Sequence, residues 1–172
     1  MLVFGGSQGA RALNELVAER FGESGPAILH LAGERDYPAL AKRVKRPDYV
    51  LLGFTNEFGA ALAACDLVLA RAGGSVWELA AAGKPALLVP YPYATADHQA
   101  KNARCFVEGG GAISLPEGEL ERVPGLVLEL LNDSIRLETM SAAMLRLARP
   151  NAAEEIADEL IELARRRRKE AA

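Results

Sequence analysis

Basic residues are not in excess: 20 Lys and Arg stand against 23 Asp and Glu, for a formal net charge of −3. Nucleic-acid binders usually carry a basic face, so that class is set aside. Cysteine is scarce as well. Cys65 and Cys105 each fall within an apolar helical pattern, too few for the disulfide framework of a secreted domain. No apolar run reaches the roughly 18 residues that span a bilayer, and no signal peptide precedes the first strand, which points to the cytoplasm. No Cys or His cluster has metal-ligand spacing, no Ser-His-Asp or Cys-His arrangement stands out, and no Asp-x-Asp pair could hold a divalent ion on a diphosphate. No metal and no resident cofactor are expected, so phosphate charge would have to be met by helix ends and hydroxyls.

The chain has 172 residues, 50% of them apolar, enough for one core and one domain. Met1 leads straight into Leu2, Val3 and Phe4, which suggests a cut inside a longer protein, because central strands usually run to about five or six residues. Apolar runs then alternate with helical patterns. Strands are expected at Leu2–Phe4, Ala27–Leu31, Tyr49–Leu52, Leu67–Ala70, Ala86–Val89 and Ala112–Leu115. Helices are expected at Ala10–Phe21, Tyr37–Val44, from an Asn56 cap through Ala64, Ser75–Ala82, from an Asp97 cap to Glu108, Glu119–Leu131, Ser134–Ala148 and Ala152–Arg168. Gly83 is expected to stop the fourth helix. Strands that are apolar throughout imply a parallel sheet covered on both faces. Right-handed crossovers favour a doubly wound, Rossmann-like order near 3-2-1-4-5-6, with ligand beyond the carboxyl ends of the strands.

The stretch Arg71–Asn102 carries the densest signal. Gly73 and Gly74 follow a buried strand and permit positive φ or close approach of backbone to a ligand. Ser75 then opens a helix whose first amides lack intrahelical partners, and that end attracts an anion such as a diphosphate. Glu78, three residues on, completes a capping box with Ser75 or accepts hydrogen bonds from the vicinal hydroxyls of a ribose. The first turn, Gly5 to Ala10, resembles a dinucleotide fingerprint but has Ser7 where the second glycine belongs. No acid ends the second strand, so NAD is disfavoured. Ser7, with the amides of Gly9 and Ala10, still suits a phosphate. Gln99 and Asn102 share a helix face and offer amides to sugar hydroxyls. Asp97 reads as a cap, His98 as a surface residue and His30 as a satisfied core histidine. Phe54 can present backbone to a base while its side chain packs in the core, and Trp77 reads as packing. Arg165–Lys169 put cations at a helix end, where the macrodipole favours them and anionic lipid could meet them.

Taken together, Gly5–Glu15 (GGSQGARALNE), the Gly53–Phe54 turn, Ala70–Pro92 and Asp97–Ala103 (DHQAKNA) closely resemble the MurG family. These bacterial transferases add N-acetylglucosamine to undecaprenyl-pyrophosphoryl-muramoyl-pentapeptide, making lipid II. The resemblance runs through essentially the whole chain but covers only the carboxyl half of such an enzyme. It implies one half of a GT-B pair, with residues 1–172 as the donor domain and the acceptor domain outside this chain. It further implies that Ser7, Gly6, Gly73, Gly74 and Ser75 hold the diphosphate of UDP-N-acetylglucosamine. The Phe54 and Thr55 backbone would read uracil, Glu78 the ribose, and Gln99 with Asn102 the sugar, while Arg71 frames the site. The chain is one residue shorter than many relatives between Arg71 and Glu78.

By the same resemblance, the reaction is an inverting transfer in which the acceptor's 4-hydroxyl attacks the anomeric carbon as UDP leaves. The acceptor site, the catalytic base and the membrane-docking patch would belong to the amino half, which would hold the protein peripherally on the inner face of the cell membrane. No catalytic residue is expected in this half, and the chain alone is expected to be inactive. Two rival readings stand beside this one. A UDP-N-acetylglucosamine 2-epimerase would need carboxylates and histidines, of which only Glu78 and His98 are at hand, and a stand-alone donor-binding subunit would dock on a separate membrane partner.

Overall fold

The computed structural model describes residues 1–6 and 10–170, the last three in backbone only. Six strands form one parallel sheet: β1 (Leu2–Phe4), β2 (Ile28–Leu31), β3 (Tyr49–Leu52), β4 (Val68–Ala70), β5 (Ala86–Leu88) and β6 (Ala112–Ser114). Their order is β3-β2-β1-β4-β5-β6, as the alternation of apolar runs and helices predicts. The chain reverses direction across the sheet between β1 and β4, where Leu2 to Phe4 pair with Val68 to Ala70. Such a switch point opens a crevice at the carboxyl ends of the strands.

Side chains on a strand alternate between faces, and here both faces are dry. Leu2, Phe4, Val68, Ala70, Ala86 and Leu88 pack into one buried cluster with Leu79, Phe106 and Met144. Val3, Leu69 and Leu87 point the other way, to meet Leu13, Val17, Val127 and Leu130. The first cluster is closed by α3 (Phe58–Ala63), α4 (Val76–Ala81), α5 (His98–Glu108) and α7 (Ser134–Leu147), the second by α1 (Arg11–Phe21) and α6 (Val123–Leu131). The short α2 (Tyr37–Leu40) adds Leu40 to a small cluster with Ala18 and Ala32. α8 (Ala152–Glu170) leaves Ile156, Leu160 and Leu163 exposed.

Several local expectations are corrected. α2 ends at Leu40 rather than Val44; a turn follows in which the amides of Arg43 and Val44 both donate to Leu40 O, at 2.9 and 3.0 Å, and Val44 packs against Leu40's cluster. The helix expected over Glu119–Leu131 divides into a 3-10 turn, Glu117–Arg122, and α6, whose second residue is Pro124. Proline fits a helix's first turn, where its missing N–H would have had no partner, but it cannot continue a helix from upstream. Asn56 does not cap α3: Glu57 holds that position, and its amide donates to Thr55 Oγ1 at 3.0 Å. Asp97 does precede α5, yet with φ 56° it sits in the left-handed region rather than the extended one a cap needs, and no cap bond forms.

The glycine stop after α4 is as expected. Gly83 has φ +61°, its amide donates to Ala80 O at 3.0 Å and that of Lys84 to Leu79 O at 2.9 Å. Gly110 repeats the device after α5, with Gly111 donating to Phe106 O at 2.9 Å. This reciprocal pair of bonds satisfies carbonyls the helix would otherwise leave unpaired.

Candidate functional site

Three adjoining cavities run along the carboxyl rim of the sheet. At one end lies a pocket of about 250 Å³ floored by Phe4, Leu31 and Phe58, with Phe54, Thr55 and Glu78 at its mouth. Phe58 meets Phe4 edge-on at 5.1 Å, which fixes a flat apolar floor. The peptide groups of Phe54 and Thr55 make no backbone hydrogen bond among the described residues, so they are free to read the edge of a planar ring. The Phe54 side chain is 57% exposed, contrary to its reading as a core aromatic.

Glu78 is exposed, with no side-chain hydrogen bond or ion pair among the described residues. The capping box does not form. Ser75 has φ −61° and ψ −13°, already helical, whereas a capping residue needs extended backbone to turn its oxygen back. The amides it would satisfy are taken, since Val76 and Trp77 donate to Gly73 O and Gly74 O at 3.2 Å and Glu78 to Ser75 O at 3.0 Å. The first amides of α4 therefore do not point outward as expected. The donors without a backbone partner among the described residues lie one step earlier, at Gly73, Gly74 and Ser75.

Those three residues line the middle cavity, about 390 Å³, with Gly5, Gly6, Arg71 and Gln99. Gly73 and Gly74 do not adopt positive φ, and a Cβ on either would meet nothing within 4 Å. Neither conformation nor packing calls for glycine there, and what the missing Cβ leaves is bare backbone facing the cavity. Gly6 does use its freedom, with φ +88°. Ser7, Gln8 and Gly9 lie outside the described residues, and so does the expected Ser7 contact to phosphate.

The third cavity, about 790 Å³, shares Gly5, Arg71 and Gln99 with the second and adds Arg11, Arg35, Tyr91 and Glu117. Arg71 is buried, its guanidinium donating to Val89 O at 3.2 Å and Pro90 O at 3.3 Å and pairing with Glu117, while its Cζ lies 5.4 Å from the Tyr91 ring centre. It braces the β4, β5 and β6 ends. Gln99 Oε1 accepts from the Tyr91 amide at 2.9 Å, leaving its amide nitrogen toward the cavity. Asn102 sits behind the wall and donates to Ala72 O at 3.0 Å, which steadies the glycine turn. Trp77 packs edge-on to Phe106 at 5.0 Å but remains 42% exposed. His98 is a surface residue bonded to Thr95 O at 2.8 Å.

Sequence reasoning missed Tyr91 and Glu117 as parts of this rim, and Arg11 and Arg35 with them. The signal for Glu117 was present, since it follows Pro116 directly after the sixth apolar run, at the same edge as the other turns. His30 is, as read, a satisfied core residue. Asn14 donates to Ala32 O at 2.8 Å and to Asp36 Oδ2 at 2.9 Å, so its Oδ1 must accept from His30 Nε2 at 2.9 Å. Nδ1 then accepts from Tyr49 O–H at 2.7 Å. Burial alone pushes this neutral imidazole down to about 4. Among the described residues no group of three His, Cys, Asp or Glu is placed to hold a metal ion.

Residues 1–159 match the model of the glycosyltransferase family 28 C-terminal domain. The chain belongs to that family. Proteins of Nitratidesulfovibrio vulgaris and Chlorobium luteolum are each 41% identical to it. In both cases the match takes in 95% of this chain and 47% of the relative. Both are named UDP-N-acetylglucosamine--N-acetylmuramyl-(pentapeptide) pyrophosphoryl-undecaprenol N-acetylglucosamine transferase. The crystal structure of Acinetobacter baumannii MurG superposes with a TM-score of 0.82 at 29% identity, over 94% of this chain and 49% of that one. A kitacinnamycin glycotransferase, at 22% identity and TM-score 0.69, shares the fold over 91% of this chain and 42% of its own. The resemblance to MurG thus holds in sequence and in structure, and this family 28 domain spans about half the length of the relatives it matches.

Proposed function

We propose that this chain is the donor-binding half of an inverting N-acetylglucosaminyltransferase that makes lipid II from its lipid-linked precursor, and that it seats UDP-N-acetylglucosamine along the carboxyl rim of the sheet. The reading is carried by one observation: an apolar slot with free peptide edges and an unengaged carboxylate opens directly into a glycine-walled cavity with unpaired amides. Uracil fits against Phe4 and Phe58, with the Phe54 and Thr55 backbone at its edge. Glu78 takes the ribose hydroxyls through charge-assisted hydrogen bonds. The amides of Gly6, Gly73, Gly74 and Ser75 take the diphosphate, Ser7 joins them, and Gln99 addresses the sugar, with Asn102 holding the turn behind it. No cofactor is invoked.

On departure of UDP, negative charge grows on the diphosphate, and fixed backbone dipoles stabilise it without having to reorganise. The acceptor, the base and the peripheral contact with the inner face of the membrane belong, in this reading, to an amino-terminal domain outside this chain. Among the described residues no helix is long and apolar enough to cross a membrane. Titrating the chain by calorimetry with UDP, UDP-N-acetylglucosamine and NAD tests the proposal. The uridine compounds are expected to bind and NAD to give no heat; binding of NAD in their place would overturn it.

A further inference from the structure

The widest part of the cleft is lined by three guanidinium-bearing residues, Arg11, Arg35 and Arg71, and two of them are already matched. Arg71 pairs with Glu117 and is further held by two carbonyls. Arg35 makes two bonds to Asp36, at 2.8 and 3.2 Å, and the same carboxylate accepts from Asn14 at 2.9 Å. Arg11 is exposed and makes no hydrogen bond or ion pair among the described residues. The carboxylates within its reach are engaged elsewhere, Asp36 by Arg35 and Asn14, and Glu15, one turn along the helix, by Arg43. Of the three cations, Arg71 is matched by Glu117 within the wall and Arg35 by Asp36 beside it, so the one surplus positive charge resides at Arg11.

Stability does not account for that charge. Arg11 is the first residue of α1, whose first turn has no acidic side chain, and a cation at the positive end of a helix dipole is unfavourable. Side chains on a helix lean toward its amino end, so Arg11 leans back toward Gly5, which lines both this cavity and the glycine-walled one. There the unpaired donors are neutral amides, and no metal-ligating group stands among the described residues. We propose that Arg11 is a phosphate-binding residue, its guanidinium the counter-charge for the sugar-linked phosphate of a uridine diphosphate sugar seated on the glycine turn. A planar guanidinium meets two phosphoryl oxygens at once. Arg35 and Arg71 hold the shape of the wall, and Arg11 reads the charge of the ligand.

This inference rests on the nucleotide reading above, and the test separates the two. The chain, Arg11→Gln and Arg11→Lys are titrated by calorimetry with uridine, UMP and UDP at low and high salt. Expected are unchanged affinity for uridine, a roughly ten-fold loss for UDP in Arg11→Gln, a smaller loss in Arg11→Lys, and a flatter salt dependence in Arg11→Gln. Unchanged UDP affinity in Arg11→Gln would overturn the assignment while leaving the nucleotide site standing. So would an equal loss for uridine, which has no phosphate to lose. A parent chain that binds none of the three sinks both readings together.

Discussion

Glu78 separates binding from folding because it has no structural partner among the described residues. With Ser75 already helical and the first amides of α4 taken by carbonyls, nothing in the helix needs this carboxylate. Glu78→Gln is therefore expected to leave the melting temperature within a degree or two and to weaken UDP binding by about 1.4 kcal/mol, tenfold. Equal affinity with a lowered melting temperature would count against the ribose role. His30 behaves in the opposite way, being all structure. Its pKa falls from 6.5 unfolded to about 4 folded, so the unfolded chain binds the extra proton between those values. Stability is full above about pH 6.5 and drains as pH falls toward 4, by about 2 kcal/mol at pH 5 relative to neutral. The Met1 amine, pushed below 8.0 by burial, adds a loss of the same sign that begins at higher pH. Asp36, held low chiefly by Arg35, and Asp48, held low chiefly by Arg46, lose their contributions only in more acid solution. Urea midpoints at pH 7 and 5, with the His30 ring followed by NMR, check this; an imidazole titrating near 6.5 in the folded chain refutes it. The histidine was legible because an apolar run surrounds it. Phe54 was not, because its sequence neighbours do not say which way a side chain leaves a glycine turn.

At the scale of elements, continuous apolar runs made the strands and their order readable, and glycine after a helix marked its end at Gly83. Helix starts read poorly. Asn56, Ser75 and Asp97 are good capping residue types, but capping depends on backbone angles that tertiary packing sets, and all three helices begin without a side-chain cap. The glycines divide into two kinds that sequence cannot tell apart. A Cβ on Gly5 would lie 2.2 Å from Ala10 Cβ and 2.4 Å from its nitrogen, so the end of β1 and the start of α1 touch without room for a side chain. Gly5→Ala is expected to cost about 3 kcal/mol, the upper range of overpacking. Gly73→Ala meets nothing within 4 Å at an ordinary φ and should leave stability within about 0.5 kcal/mol. Its methyl group would still intrude on the proposed diphosphate site, so UDP affinity is expected to fall while the unfolding midpoint stays. Denaturation and calorimetry on the same two variants check both statements; a Gly73→Ala chain that binds UDP normally removes the glycine turn from the site.

For the molecule as a whole, the switch in strand order between β1 and β4 gathers turns from distant parts of the chain onto one rim, which is why four short motifs were enough to indicate the fold and the site's edge. That rim is a single wall. In the proposed reading it holds a donor and steadies a departing diphosphate, but an acceptor hydroxyl must also lose a proton to a base close to the anomeric carbon. Among the described residues the cleft offers two carboxylates for that task. Glu78 lies at the apolar end beside Phe54, where the proposed reading puts the ribose and not the sugar, and Glu117 is committed to Arg71. The 172-residue chain is thus expected to bind UDP-N-acetylglucosamine yet form no product when supplied with the lipid-linked acceptor. A radiolabelled-donor assay, run beside the binding titration on the same preparation, decides it. Product formation would mean that one of these two carboxylates, or a group outside the described residues, serves as the base, and the division of labour between a donor half and an acceptor half would have to be abandoned.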